Sequence, residues 1–170
     1  MTRYIHSRLT SRQVPDLLQT ILVAELIAPS QCVWLVSPWI SDIPIIDNTA
    51  NTFQALEPSW YRSKIRFSQV LASLTQQGTT VCIATRPDSH NNSFLETLVS
   101  KADSSYLKLH KAEELHTKGI LSDSFFLAGS MNFTFNGITV NQEMLSYETE
   151  PAEIAEQKLN FRARWGGTVS

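Results

Sequence analysis

The chain has 170 residues, of which 42% are hydrophobic and 18% are charged, and its formal net charge is −2 at pH 7. These values are typical of one folded domain with its own core, and they exclude a disordered chain. The slightly acidic balance does not favour nucleic acid as a partner, but a local basic groove is enough for binding it. We therefore expect a single domain over residues 1–170.

The N-terminus and the two cysteines indicate the cellular compartment. The first residues lack the apolar core of a secretion signal. Cys32 and Cys82 each lie in an apolar run, so we expect two buried free thiols rather than a disulfide or a metal site. The most apolar segment, residues 14–29, is too short to span a membrane and contains Asp16 and Glu25. The sequence therefore predicts a cytoplasmic protein with no membrane partner.

The first half of the chain alternates predicted helices and strands. Thr10 or Ser11 can cap a helix whose apolar residues keep helical spacing as far as Leu26. Continuous apolar runs then predict buried strands. The later elements of this half are predicted as a strand at Cys32–Val36, a loop at 41–59, a helix at 60–77, a strand at 79–85 and a helix through 94–99.

The second half of the chain is predicted to be mostly strand. The strands are predicted at residues 106–110, 115–121, 125–128 and 143–147. Pro151 begins a terminal helix that ends near Trp165. Together the two halves predict an α/β fold in which a mixed β-sheet is flanked by helices on both faces.

The stretch from His116 to Asn132 contains a set of side chains suited to phosphate chemistry. His116 and Lys118 are two residues apart, so they share one face of the predicted strand. Gly129 permits close backbone approach, and Ser130 and Asn132 can donate to phosphate oxygens. The stretch contains no acidic pair for a catalytic magnesium. It therefore suggests attack on a phosphodiester by the histidine without a metal, with Lys118, Ser130 and Asn132 binding the phosphate.

Two carboxylates near this set are predicted to have different roles. Asp123 lies five positions beyond Lys118, so strand parity turns it to the opposite face and predicts a structural role. Glu143 is the nearest downstream carboxylate, and it could accept from one imidazole nitrogen and leave the other free to attack. We therefore predict that Glu143 is catalytic together with His116 and Lys118, and that no metal or cofactor takes part.

These residues resemble the motif of the phospholipase D superfamily, His-x-Lys-x4-Asp followed by a segment with glycine, serine and asparagine. In this chain the motif is carried by His116, Lys118, Asp123, Gly129, Ser130 and Asn132, and the later Asn141 and Glu143 match the asparagine-x-glutamate that often follows. Five residues separate Asp123 from Gly129 where the common pattern has six. A tighter hairpin between the two strands would explain the difference.

The resemblance implies a phospholipase D-like fold and a two-step reaction. One histidine attacks phosphorus and forms a phosphohistidine, and a second histidine protonates the leaving oxygen and then activates water. His6, His90 and His110 have no lysine two residues later, so the chain holds a single motif. A homodimer with His116 of each subunit at the two-fold axis would supply the second histidine.

A wider similarity covers residues 33–44 and the loop that contains Arg86. Both resemble phospholipase-D-like proteins of bacterial gene clusters that insert 7-deazaguanine derivatives into DNA. The resemblance implies DNA as the substrate and partner proteins of a modification and restriction system. Two alternatives stay open, a lipid phosphodiesterase and a non-catalytic DNA-recognition or assembly subunit that retains the fold.

Two residues that follow the predicted buried strands are open to two interpretations. Arg86 could hold a phosphate, and a solvated loop arginine explains it equally well. Trp39 could stack on a base, but a tryptophan at such a place is more often part of a core or an interface.

Overall fold

The structure, a computed structural model, describes residues 2–6, 13–139 and 144–167. The strands are β1 (Arg3–His6), β2 (Cys32–Val36), β3 (Pro44–Asp47), β4 (Lys64–Arg66), β5 (Thr80–Thr85), β6 (Leu107–Lys111), β7 (Gly119–Leu121), β8 (Phe126–Gly129) and β9 (Met144–Glu148). The α-helices are α1 (Gln13–Ile27), α2 (Phe67–Gln76), α3 (Asn92–Lys101), α4 (Phe135–Thr139) and α5 (Pro151–Trp165).

Seven of these strands form one mixed sheet in the order β1-β9-β8-β7-β2-β5-β6. The neighbours β2, β5 and β6 are parallel, and the other neighbouring pairs are antiparallel. All residues of β2 and β5 are buried, because helices cover both faces at the centre of the sheet. The mixed sheet predicted from the sequence is confirmed.

Alternate residues of β2 face two different hydrophobic clusters. Val33 and Leu35 belong to the cluster formed with α1, α2, α3 and α4. Cys32, Trp34 and Val36 belong to the cluster formed with α5. Helices therefore lie on both faces of the sheet, as predicted. None of the described helices is long and apolar enough to cross a lipid bilayer.

Both cysteines are buried thiols that form no disulfide, as the sequence predicts. They lie on the neighbouring strands β2 and β5, and their Sγ atoms are 3.9 Å apart. The hydrogen bond with Cys32, together with burial, raises the pKa of the Cys82 thiol.

The segment before α2 differs from the prediction. The polar loop predicted there contains β3, and the helix predicted at 60–77 begins only at Phe67. Ile65 belongs to β4 and pairs with Ile46 across the small β3–β4 sheet. Arg62 has a φ of +46°, which a right-handed helix cannot contain. The apolar spacing in this region reflects burial of a hairpin and is not the first turn of a helix.

Two opposite edges of the sheet matter for the site. At the carboxyl edge, β2, β5 and β8 end and β7 begins, as the strand pairings require. At the amino edge, β2 and β5 begin and β7 ends. The carboxyl edge of the parallel strands is where ligands bind in open α/β sheets.

Candidate active site

The segment that carries His116 crosses the carboxyl edge. Residues 112–118 run from the end of β6 over β5 and β2 to the start of β7. The Ala112 N–H donates to the Thr85 carbonyl at 3.0 Å, and Leu115 is buried under the segment. These contacts hold the segment against the end of the parallel strands.

His116 and Lys118 lie before β7 and not within it. The strand predicted at 115–121 begins only at Gly119, because the preceding residues bond to the loop after β5. Parity along a strand therefore does not set the directions of these two side chains. His116 is exposed, and the Lys118 Nζ donates to the His116 carbonyl oxygen at 2.7 Å. One of the three ammonium N–H donors is thus used within the segment.

The second half of the motif reaches the same edge through β8. The Gly129 N–H donates to the Lys118 carbonyl at 3.4 Å, so β8 brings Ser130 alongside the His-Lys segment. The Ser130 Oγ accepts from the Met144 N–H of β9 at 3.2 Å. A glycine is required at position 129, because a Cβ there would collide with the Met144 carbonyl oxygen. The glycine therefore permits the close β8–β9 approach that fixes the position of Ser130.

Asn132 is fixed by the turn that leads into α4. Its carbonyl accepts from the Thr134 N–H at 2.8 Å, and a Cβ at Gly137 would collide with the same carbonyl. The next residue, Phe133, donates its N–H to the Ser37 hydroxyl at the end of β2. The Asn132 Oδ1 is buried and accepts no hydrogen bond from the described residues. This oxygen can only accept a hydrogen bond, so a bond to a phosphate oxygen would have to come from the amide nitrogen of the same side chain.

Asp123 lies at the amino edge, away from His116 and Lys118. The strand β7 lies between them, and the five residues from Lys118 to Asp123 span about 16 Å in extended conformation. One Asp123 oxygen accepts from the Lys158 ammonium at 2.6 Å and the other from the Gln31 N–H at 2.7 Å. The separation follows from the length of the strand and not from its parity. The structural role predicted for Asp123 stays a prediction.

Glu143, predicted to be catalytic, lies outside the described residues, and so does Asn141. Among the residues that the structure describes, no three histidine, cysteine, aspartate or glutamate side chains are grouped as ligands for a metal ion.

Arg86 is a member of this site that the sequence left undecided. Its Nε donates to the Leu115 carbonyl oxygen at 3.0 Å, and its Nη2 lies 3.4 Å from both ring nitrogens of His116. Its guanidinium also lies over the Trp39 ring, 5.0 Å from the centroid. Arg86 is therefore half-buried and held by contacts within the chain, and its role towards a phosphate stays a prediction. One feature of the sequence pointed to Arg86. It directly follows a buried parallel strand, β5, as Ser37 directly follows β2.

Two side chains of the loop after β5 hold this arrangement. The Asp88 carboxylate accepts from the Trp39 indole N–H at 3.1 Å and from the His90 N–H at 2.8 Å. The His90 N–H and the Trp39 indole hold the pKa of Asp88 below its usual value. Asn91 is fully buried and donates to the carbonyls of Pro38 and Arg86. Asn91 has no distinguishing pattern in the sequence, where it looks like an ordinary residue of a polar loop.

The fold is similar to that of a phospholipase D family member, Nuc from Salmonella typhimurium. The two chains are 14% identical and superpose with a TM-score of 0.64 over 98% of this chain and 95% of Nuc. NucT from Helicobacter pylori is 15% identical, with a TM-score of 0.61 over 96% of this chain and 94% of NucT.

A DNA-binding protein shares the same fold over part of its length. TrmBL2, an archaeal chromatin protein with a novel mode of DNA binding, is 10% identical, with a TM-score of 0.57 over 95% of this chain and 50% of TrmBL2. No protein-family model and no curated protein matches the sequence. The chain therefore has a phospholipase D-like α/β fold, and at these levels of identity the similarity defines the fold alone.

Proposed function

We propose that this chain is a metal-independent phosphodiesterase that cleaves DNA through a phosphohistidine at His116. The observation that carries the proposal is that the His-Lys part of the motif and the segment that begins at Gly129 meet at one edge of the sheet. An exposed imidazole and an ammonium precede β7, and the hydrogen bond from Gly129 to Lys118 brings the Ser130 segment beside them.

In the proposed reaction, a His116 ring nitrogen forms a bond to phosphorus while the bond from phosphorus to the leaving oxygen breaks. The leaving oxygen takes a proton from a second histidine, which then removes a proton from the water that releases the phosphohistidine. Lys118 uses one N–H on the His116 carbonyl, so two remain for phosphate oxygens. Ser130 and Asn132 provide further donors, and Glu143 accepts from the ring nitrogen that does not attack.

The second histidine comes from a second copy of the chain in this proposal. The chain contains one motif, and His116 is exposed at the carboxyl edge. A homodimer whose two-fold axis passes through this edge would place the two imidazoles on opposite sides of one phosphate.

DNA is the proposed substrate within a modification and restriction system. The fold shared with TrmBL2, which binds DNA, supports this choice. The segment from Val33 to Pro44 also resembles the phospholipase-D-like protein DpdK of 7-deazaguanine clusters, which would add partner proteins of such a system. These points stay predictions of the sequence.

The test is cleavage of DNA in EDTA. We expect wild type to cleave, and His116→Ala to lose more than about 10³-fold in rate because the nucleophile is gone. The matched control is His110→Ala, which removes an exposed histidine of β6 and should keep wild-type activity.

Other outcomes separate the alternatives. Activity that disappears in EDTA, or survives His116→Ala, would contradict the proposal. Release of headgroups from lipid vesicles would favour a lipid phosphodiesterase. Binding of DNA by a dimer, with no turnover and no covalent phosphohistidine, would favour a non-catalytic DNA-recognition subunit.

A further inference from the structure

The Arg86 guanidinium lies at the carboxyl edge beside the proposed nucleophile, and two contacts hold it there. The Leu115 carbonyl fixes its Nε, and the Trp39 ring lies against one face of the guanidinium. Its Nη2 is equally distant, 3.4 Å, from both nitrogens of the His116 ring. This geometry places a planar cation within reach of any group that the imidazole attacks.

The orientation of Trp39 is fixed independently of Arg86. The Asp88 carboxylate accepts from the Trp39 indole with one oxygen and from the His90 N–H with the other. Both carboxylate oxygens therefore have partners within the loop. Asp88 accordingly holds the Trp39 ring under the guanidinium, and its charge acts on Arg86 from beyond ion-pair distance.

The charges around His116 favour an anion. Within the part of the chain that the structure describes, neither Arg86 nor Lys118 forms an ion pair, whereas Lys158 does so with Asp123. These two cations flank the exposed imidazole and raise the local potential there, although the Asp88 carboxylate acts on Arg86 from beyond ion-pair distance. The arginine uses one of its five N–H donors on Leu115, and its fork matches the oxygens of a phosphate.

We infer that Arg86 is a further catalytic residue, which donates to a non-bridging oxygen of the phosphodiester that His116 attacks, with Trp39 as its positioning residue. This inference rests on the proposed phosphodiesterase function. When the phosphate enters between Arg86 and Lys118, the Nη2 exchanges its contact with the imidazole for a phosphate oxygen. The ring is then free to attack, and the cation remains beside the charge that develops on phosphorus.

The first experiment measures the binding of inorganic tungstate, a phosphate-like dianion, by calorimetry. We expect Arg86→Gln to weaken binding by roughly 10- to 100-fold, the range for a hydrogen bond to a charged group. Arg86→Lys keeps the charge but loses the fork, so it should recover only part of the affinity. The matched control is Arg164→Gln, because Arg164 also lies over a tryptophan ring, that of Trp165, at 6.0 Å.

The second experiment separates contact with phosphate from support of the backbone. DNA substrates carry one phosphorothioate of defined Rp or Sp configuration, and the ratio of the two cleavage rates is measured. We expect wild type to prefer one diastereomer, and Arg86→Gln to reduce this preference by about 10-fold. If Arg86 only held the Leu115 carbonyl, its loss would slow both diastereomers equally and leave the ratio unchanged.

The outcomes distinguish this inference from the proposed function. An unchanged tungstate affinity or an unchanged Rp/Sp ratio in Arg86→Gln overturns the inference, while cleavage that depends on His116 still supports the function. If wild type does not cleave DNA, the proposed function fails. The binding of tungstate is then the only test of the anion site at Arg86. Weaker binding in Arg86→Gln then supports an anion site at Arg86, and no binding by wild type overturns it.

Discussion

Charged side chains gather at both edges of the central strands, but their partners differ. At the amino edge, Glu25 is 2% exposed and accepts hydrogen bonds from Ser30 and Ser124. Asp123 accepts from Lys158 and from the Gln31 N–H at the same edge. These charges are thus satisfied within the chain.

The carboxyl edge carries cations of another kind. Arg86 and Lys118 contact carbonyl oxygens and the His116 ring, and no described carboxylate lies within ion-pair distance of them, although Asp88 acts on Arg86 from further away. Carbonyl contacts hold a cation in place without neutralising it. The two ends of one sequence motif therefore have different neighbours. Asp123 contacts Gln31, just before β2, and Lys158 of α5, whereas the anion site at His116 and Lys118 is a proposal.

The largest expected effect compares one lysine from each edge. Lys118→Met should reduce the rate of DNA cleavage by about 10²- to 10³-fold, because a donor to the phosphate is lost, with little change in stability. Lys158→Met should destabilise the fold by about 2–3 kcal/mol, because it leaves the partly buried Asp123 without its cation. Cleavage rates and urea unfolding of both variants test this. A large loss of rate in fully folded Lys158→Met, with none in Lys118→Met, would reverse the assignment of the edges.

A smaller effect is expected at Gly129, where the carboxyl edge depends on backbone packing. Gly129→Ala should destabilise the fold by about 2–3 kcal/mol, because its Cβ would force β8 away from the Met144 carbonyl. Activity should fall as well, since Ser130 moves with β8. The control Ala128→Gly removes a methyl group from the same strand and should cost under about 1 kcal/mol. Equal unfolding midpoints for the two variants would contradict the steric argument.

The smallest effect concerns acid stability and involves neither lysine. Hydrogen bonds from the Thr2 hydroxyl and the Glu150 N–H lower the pKa of Glu148 to about 2, from 4.5. A depressed folded-state pKa stabilises the fold above pH 4.5, and this contribution is lost as the pH falls towards 2. Glu148→Gln should therefore show a weaker loss of stability than wild type between pH 4.5 and 2. Parallel acid-unfolding curves for the two proteins would contradict this.

The elements that could be predicted from sequence are those in which apolar residues repeat at a regular spacing without interruption. The apolar run of β2 and the helical spacing of α1 led to correct bounds within a few residues. The β3–β4 hairpin could not be predicted, because the spacing of Ile65 from the apolar residues after it also fits a helix. Only the pairing of Ile65 with Ile46 shows that it belongs to a strand. Strand β1 was also missed, since its four residues pair with the distant β9.

The site was predictable as a set of residue types, but its geometry was not. The motif named His116 and Lys118 correctly as neighbours of the Ser130 segment, since β7 and β8 are consecutive. It could not show that both residues lie outside a strand, because the segment before them is held by a hydrogen bond from Arg86 to Leu115, 29 residues away in sequence. Contacts of such long range leave no local pattern in a sequence.

The crossing of residues 112–118 over two strands has a consequence for how the imidazole is held. The distance from β6 to β7 across three strand spacings is about 14 Å. The chain from residue 111 to residue 119 could extend to about 26 Å. The segment is therefore longer than the distance it spans, and its length alone does not fix the position of His116. That position depends on three contacts, made by the Ala112 amide, the buried Leu115 side chain and the Arg86 guanidinium. Local opening of these contacts would release His116 while the sheet beneath it stays folded.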